Sequence, residues 1–196
     1  MDSSRTRSPI AREAILEATT ELIRERGVSG TSISDVVARS GTSAGAIYHH
    51  FGSKGRLVLE VGRSAVAAPM AMIMQTSPSL SPADLFRAAF DQVARSEHVA
   101  ALLLQIWSGA QYDPALARLL QNEVAAMHAT VEGFVRAWCA EHSPGADPKD
   151  VVKVLIGLVM GYAVQRSLGI DGDPIEYREL GAALIERATD PASASV

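Results

Sequence analysis

The sequence predicts an all-α protein, with an N-terminal three-helix domain followed by a helical bundle, about nine helices in all. Three observations carry this. Five pairs, Ser8-Pro9, Ser81-Pro82, Asp113-Pro114, Asp147-Pro148 and Asp173-Pro174, punctuate the chain. In each, a Ser or Asp oxygen can accept an unpaired N–H at a helix start, and the proline, having no N–H, fits the first helical position. Apolar residues recur between these points at helical spacing. Strand signals are scarce: the one Asp-Gly, at 171–172, lies between helical segments rather than between alternating apolar runs.

The first helix is expected over about residues 9–26, with Ile15, Ala18, Leu22 and Ile23 on its inner face and Gly27 as its cap. Ser32-Ile33-Ser34-Asp35 reads as the start of a short helix, with an acid in the first turn. Ile33, Val36 and Val37 face inward, and Gly41 stops it. Another helix begins after Ser43 and carries Ile47, Tyr48 and Phe51, until Gly52-Ser53 breaks it. From Lys54 a longer helix, with Leu57, Val58 and Val61 inward, reaches about Met74. Residues 76–81 form a loop. Helices then follow near 82–96, 98–110, 114–141, 148–168 and 174–188. The expected domains are 8–62, with a helix-turn-helix at about 31–50, and 63–190. Residues 191–196 are read as a flexible tail.

Hydrophobic residues make up 47 % of the 196 and charged residues 20 %, a composition that folds. The single cysteine, Cys139, allows no intrachain disulfide. The longest uncharged apolar stretch, 154–164, falls well short of the roughly 20 residues that span a bilayer. MDSSRTRSPI is followed by no signal-peptide core. The expectation is a cytoplasmic protein with no membrane partner. Its net charge of −4 conceals an asymmetry. Residues 1–63 hold nine Lys/Arg against seven Asp/Glu, and the remainder nine against fifteen. Residues 36–59 contain Arg39, Lys54 and Arg56 and no acid, so an anionic polymer would be drawn there.

Two short helices joined by a glycine-containing turn make a helix-turn-helix, whose second helix enters the major groove with its N-terminal end toward the bases. The small residues Ala44, Gly45 and Ala46 suit that close approach. Ser43 can cap the helix at an anion-favouring N-terminus, Tyr48 offers a polar tip to the backbone, and Ser53-Lys54 places a cation at another helix start. His49 and His50, adjacent on a helix, point about 100° apart and make a poor metal pair. No metal or cofactor is expected.

The string ILEATTELIRERG…TSISDVVARSGTSAGAIYHHFGSKGRL, over about residues 9–62, resembles the DNA-binding domain of the TetR family of transcriptional regulators. Gly41 to Leu57 is its most specific part. The resemblance implies that Ser32, Ser43, Ala44, Gly45, Tyr48, His49 and Lys54 lie at the DNA surface, with Ile47 and Phe51 in the core; Thr42, like His49, is a candidate to reach a base edge. It implies a double-stranded DNA partner carrying an inverted-repeat operator, a homodimer and a small-molecule effector, and a repressor rather than an enzyme. Ile23, Val28 and Val36-Val37 depart from the family pattern by core residues of similar character. Ala44 stands where many relatives carry lysine or another polar residue. Residues 42–50 contain no Arg, Lys, Asn or Gln, the usual bidentate base readers, so direct readout is expected to be weak.

For the bundle, the resemblance implies ligand binding and dimerisation. Gly157 and Gly161, four apart in VLIGLVMGYAV, allow close helix approach, either to a partner or within the subunit; Gly181, Ala182 and Ile185 are expected to face the partner. Phe86, Phe90, Leu103, Trp107, Tyr112, Met127, Phe134 and Met160 are candidates to line a largely apolar pocket, with Gln111 and His128 as polar anchors. Each taken singly is also a plain core residue. Cys139 and His142, three apart, form a conceivable nucleophile and base without a third group. A helical enzyme and a protein-interaction scaffold are therefore the rival readings.

Overall fold

Side-chain oxygens start most of the helices, as the punctuation predicts. In the computed structural model, which describes residues 3–95, 97–170 and 172–190, every regular element is helical. The order is α1 (Ser3–Arg26), α2 (Ile33–Ser40), α3 (Ala44–Phe51), α4 (Lys54–Gly62), a π-turn (Arg63–Ala67), α5 (Ala68–Thr76), α6 (Pro82–Ala94), α7 (Glu97–Tyr112), α8 (Pro114–His142), α9 (Pro148–Ser167) and α10 (Pro174–Thr189). Because α4, the π-turn and α5 run on as one helix over Lys54–Thr76, the described residues make nine helical rods. Ser81 accepts the Asp84 N–H, Asp113 those of Ala115 and Leu116, Asp147 that of Lys149, and Asp173 those of Ile175 and Glu176. Ser8-Pro9 is the exception, since α1 already runs from Ser3. Proline has a helical φ, so a helix can pass through it at the cost of one hydrogen bond. The expected tail, 191–196, lies outside the described residues.

The chain divides into two units, Met1–Ala65 with Leu102–Asn122 and Val66–Ala101 with Glu123–Val196. In the first, Ile15, Leu22, Val36, Ile47, Phe51 and Leu57 form the core that holds α1, α2 and α3 together. A neighbouring cluster joins Ile23, Val28, Val58 and Val61 to Leu102, Ile106, Ala110 and Leu116, so residues 102–122 are packed into the same body as the head read from sequence as 8–62. Glycine makes that packing close. A Cβ on Gly109 would lie 2.7 Å from the Val28 Cβ, nearer than carbon atoms approach. Gly27, at φ +72°, faces the Gln105 amide in the same unit.

In the second unit Phe86 and Phe90 of α6 are enclosed by Val151, Val152 and Leu155 of α9 and by Ala182 and Ile185 of α10. The rings of Phe90, Tyr162 and Tyr177 pack on one another with centroids 4.2–5.8 Å apart, and the Tyr177 hydroxyl donates to the Leu158 carbonyl at 2.9 Å. Arg87 ties α6 to α10 by pairing with Glu179 and Glu186, while holding Asp84 on its own helix.

The Lys54–Thr76 rod is long and apolar enough, on length and composition alone, to cross a bilayer. It is not an uncharged run, because Lys54, Arg56, Glu60 and Arg63 interrupt its first half. That half is bound into the head, where Leu57, Val58 and Val61 are buried. The second half, α5, buries no residue fully.

Candidate nucleic-acid interface

The turn between α2 and α3 is built by backbone chemistry legible in the sequence. Gly41 adopts φ +66°, a left-handed conformation that costs glycine little, and its N–H closes α2 on the Val37 carbonyl at 3.1 Å. Ser43 starts α3 by accepting the Ala46 N–H at 3.2 Å. Ile47 and Phe51 then point into the head core, with Ala46 partly buried against it. The opposite face of α3 presents Ala44, Gly45, Tyr48 and His49 to solvent, and Tyr48 is 52 % exposed. At the far end Gly52, at φ +76°, ends α3 on the Tyr48 carbonyl, and Ser53 caps α4 through the Arg56 N–H. Lys54 stands half-buried at that second helix start. Two serine-capped N-termini thus flank one exposed helical face, and each favours an anion.

Two predicted DNA-facing side chains have local duties. The Ser32 hydroxyl accepts the Asp35 N–H at 3.1 Å and donates to its carboxylate at 2.5 Å, while the Ser32 N–H donates to the same carboxylate at 2.9 Å. This reciprocal capping holds the Asp35 carboxyl below its usual range, chiefly through the Ser32 hydroxyl. Ser32 remains exposed. Thr42 is half-buried and pairs its hydroxyl with that of Ser40 at 2.7 Å.

The charge pattern needs one correction. Residues 36–59 contain no acid in sequence, yet α1 brings two acids to them in space. Arg39 Nη1 and Nη2 each lie 2.8 Å from a Glu25 oxygen, and Nη1 is 3.1 Å from Glu21 Oε2. Bonding to Arg39 lowers the Glu25 pKa, and the two carboxylates raise that of Arg39. Arg39 therefore braces α1 on α2. Arg12 is committed in a similar way, pairing with Glu60 and placing its guanidinium 5.6 Å from the Phe51 ring centre. Among the described residues, Lys54 and Arg56 stand at the start of α4, next to α3.

The histidine pair answers to the same helix geometry. The His49 and His50 rings meet edge to face with centroids 5.3 Å apart, and His50 meets Phe51 at 6.1 Å. Among the described residues no three His, Cys, Asp or Glu side chains gather where they could hold a metal ion. Cys139 and His142 do not form a reactive pair. Cys139 is buried in the core, which pushes its thiol pKa up, whereas His142 is exposed, stacked on Trp138 and bonded to the Trp138 carbonyl.

The bundle residues separate by unit. Leu103, Trp107, Gln111 and Tyr112 belong to the first; Leu103 and Trp107 are half-buried, Gln111 is exposed and Tyr112 is 80 % exposed. Phe86, Phe90, Met127, His128, Phe134 and Met160 belong to the second, where Phe86 and Phe90 fill the core, Met127, His128 and Phe134 are half-buried and Met160 is exposed. Among the expected dimer residues, Gly157 is exposed with open space beside it, and Gly161 lies near the Tyr177 hydroxyl of its own chain. Gly181, Ala182 and Ile185 must be corrected: they face their own subunit's core, where Gly181 leaves room for Phe86. The neighbouring apolar residues Leu180 and Leu184 on α10 and Val154 on α9, not among the expected dimer residues, are the ones turned outward. The four-residue spacing of Leu180 and Leu184 is the signal that marks them as one face.

Comparison with known proteins adds to this geometry. A family model described as bacterial regulatory proteins, tetR family, matches residues 15–61, and one described as BetI-type transcriptional repressor, C-terminal, matches residues 83–190. The HTH-type transcriptional regulator BetI of Burkholderia mallei is 27 % identical over 178 residues, covering 86 % of this chain and 87 % of its own. The crystal structure of NalD, the secondary repressor of the MexAB-OprM multidrug efflux pump in Pseudomonas aeruginosa, aligns with TM-score 0.73 at 25 % identity, over 92 % of this chain and 97 % of that one. A transcriptional regulator from Saccharomonospora viridis, crystallised in complex with choline, aligns with TM-score 0.67 at 22 % identity, over 90 % and 95 %.

Proposed function

This chain belongs to the TetR family and is a DNA-binding transcriptional repressor, and on that premise we propose that it acts in the cytoplasm as a homodimer on an inverted-repeat operator and is released by a small, largely apolar effector. Its family comprises transcriptional regulators, not enzymes. The observation that carries the reading is the division of α3 into a buried edge, Ile47 and Phe51, and an exposed one, Ala44, Gly45, Tyr48 and His49, between two serine-capped helix starts. In the major groove the N-terminal end of that face meets base edges, while Ser43, Tyr48 and Lys54 hold phosphates. Ser32 and Thr42 contribute through the caps and turn they build.

A two-fold pair of heads doubles the phosphate contacts and sets half-sites roughly 34–36 Å apart. The partner surface is the outward face of α9 and α10, with Val154, Gly157 and Met160 on one helix and Leu180 and Leu184 on the other. Exposure supports this: Leu180 is 61 % exposed in the isolated subunit, whereas Gly181, Ala182 and Ile185 are enclosed. The variant carrying Leu180→Glu and Leu184→Glu is expected to sediment as a folded monomer and to lose at least about tenfold in operator affinity, the effect of losing one of two heads. An unchanged dimer in that variant would move the interface elsewhere.

For the effector, the supporting feature is incomplete coverage of an apolar surface. Met70, Met74, Met127, Phe134 and Trp138 pack against the second unit's core and remain only partly buried. Thioether and aromatic groups adapt to varied apolar ligands, and aromatic faces also attract quaternary ammonium. Choline and uncharged apolar compounds of similar size are the first probes, with release of bound operator as the readout.

A further inference from the structure

The exposed face of α3 is depleted of hydrogen-bonding side chains, and the structure removes several that the sequence left available. Thr42 is tied to Ser40 and Ala46 is partly buried against the head core, while the Ser43 hydroxyl accepts the Ala46 N–H and keeps its own O–H for a phosphate. Arg39 is held by Glu25 and Glu21, and Arg12 by Glu60. What remains on the exposed face is the Ala44 methyl at the first position of α3, the bare backbone of Gly45, and Tyr48 and His49, whose hydroxyl and imidazole nitrogens are its remaining hydrogen-bonding groups. Bidentate readout of guanine or adenine requires Arg, Lys, Asn or Gln, and residues 42–50 supply none. The major groove offers one base feature that an alanine methyl can read, the pyrimidine C5-methyl group of thymine.

We infer that Ala44 is a specificity-determining residue that reads a pyrimidine C5-methyl group, so that the protein distinguishes methylated from unmethylated pyrimidine at one position of each half-site. The inference rests on α3 lying in the major groove. It has a consequence beyond thymine: 5-methylcytosine carries the same methyl at the same place in the groove, so cytosine methylation at that position strengthens binding.

The test uses the full-length protein and the duplex it selects from random DNA. Each thymine in the half-site is replaced in turn by uracil, which differs by the methyl alone. At one position affinity is expected to fall about fourfold per half-site, the contribution of one buried methyl. A C·G pair placed there is expected to bind more weakly than the same pair bearing 5-methylcytosine, by a similar factor. In Ala44→Gly, whose folding is checked by its helical circular dichroism, discrimination between thymine and uracil is expected to vanish. Uracil tolerated at every position by the parent protein overturns the inference, whatever the variant does. So does discrimination that persists in a folded Ala44→Gly. If the parent selects no duplex at all, the DNA-binding reading fails with it; selection without methyl discrimination removes this inference alone.

Discussion

Gly181→Leu is expected to destabilise the second unit by about 3 kcal/mol, the upper end of the range usually seen when side-chain volume is forced into a filled core. A helical glycine is ordinarily a small liability that alanine relieves by about 0.5–1 kcal/mol. Here the sign reverses. A Cβ at position 181 would stand 2.4 Å from Phe86 Cζ and 2.7 Å from Cε1. Phe86 cannot swing clear, because it is fully buried, with Phe90 beside it at 6.0 Å. Leucine would add three more carbons to the same space. Against a total stability of roughly 5–15 kcal/mol this is a large fraction. Urea denaturation reads it as a lowered midpoint. Gly133→Ala is the control: nothing lies within 4 Å of its added carbon, so the midpoint should rise. A Gly181→Leu protein as stable as the parent would show that Phe86 is not packed as described.

The second large effect concerns the DNA face. Tyr48→Ala and Lys54→Ala are each expected to weaken operator binding by about tenfold or more, and they differ in salt dependence. Removing the Lys54 ammonium should reduce the slope of log affinity against log salt by about one per head, because one phosphate is no longer neutralised. Removing the uncharged Tyr48 should lower affinity with the slope unchanged. Arg39→Gln should also leave the slope unchanged, since that guanidinium is already neutralised by Glu25 and Glu21. Fluorescence anisotropy across a salt series separates the three. A slope that falls in Arg39→Gln and stays constant in Lys54→Ala would reverse their roles.

The helices were legible because their signals are local. Ser81, Asp113, Asp147 and Asp173 cap the helices that their prolines announce, and Gly41 and Gly52 take the positive φ that ends α2 and α3. The inward edge of α3 was equally readable, since Ile47 and Phe51 stand four apart on an eight-residue helix. Long-range partners were not. No spacing rule tells that α1 will bring Glu21 and Glu25 to Arg39, so an apparently acid-free segment kept a charge it does not present. Nor does spacing tell which side of α10 is outermost. Its small residues, Gly181 and Ala182, suggested a partner, but they are small because Phe86 and the second unit's core occupy that side. The candidate pocket residues blurred for the same reason. Phe86 and Phe90 have the composition of a ligand site and the burial of a core, and only packing distinguishes them.

The central claim, that α3 is the recognition helix of a DNA-binding repressor, is tested most directly by selecting bound sequences from randomised duplex DNA with the full-length protein at two salt concentrations. The expected result is an enriched inverted repeat whose half-site centres are one helical turn or a multiple of it apart, bound much more weakly at the higher salt and recovered in much lower yield with Tyr48→Ala. An equal yield of bound DNA from the parent and from Tyr48→Ala, or no enrichment at either salt, would contradict it.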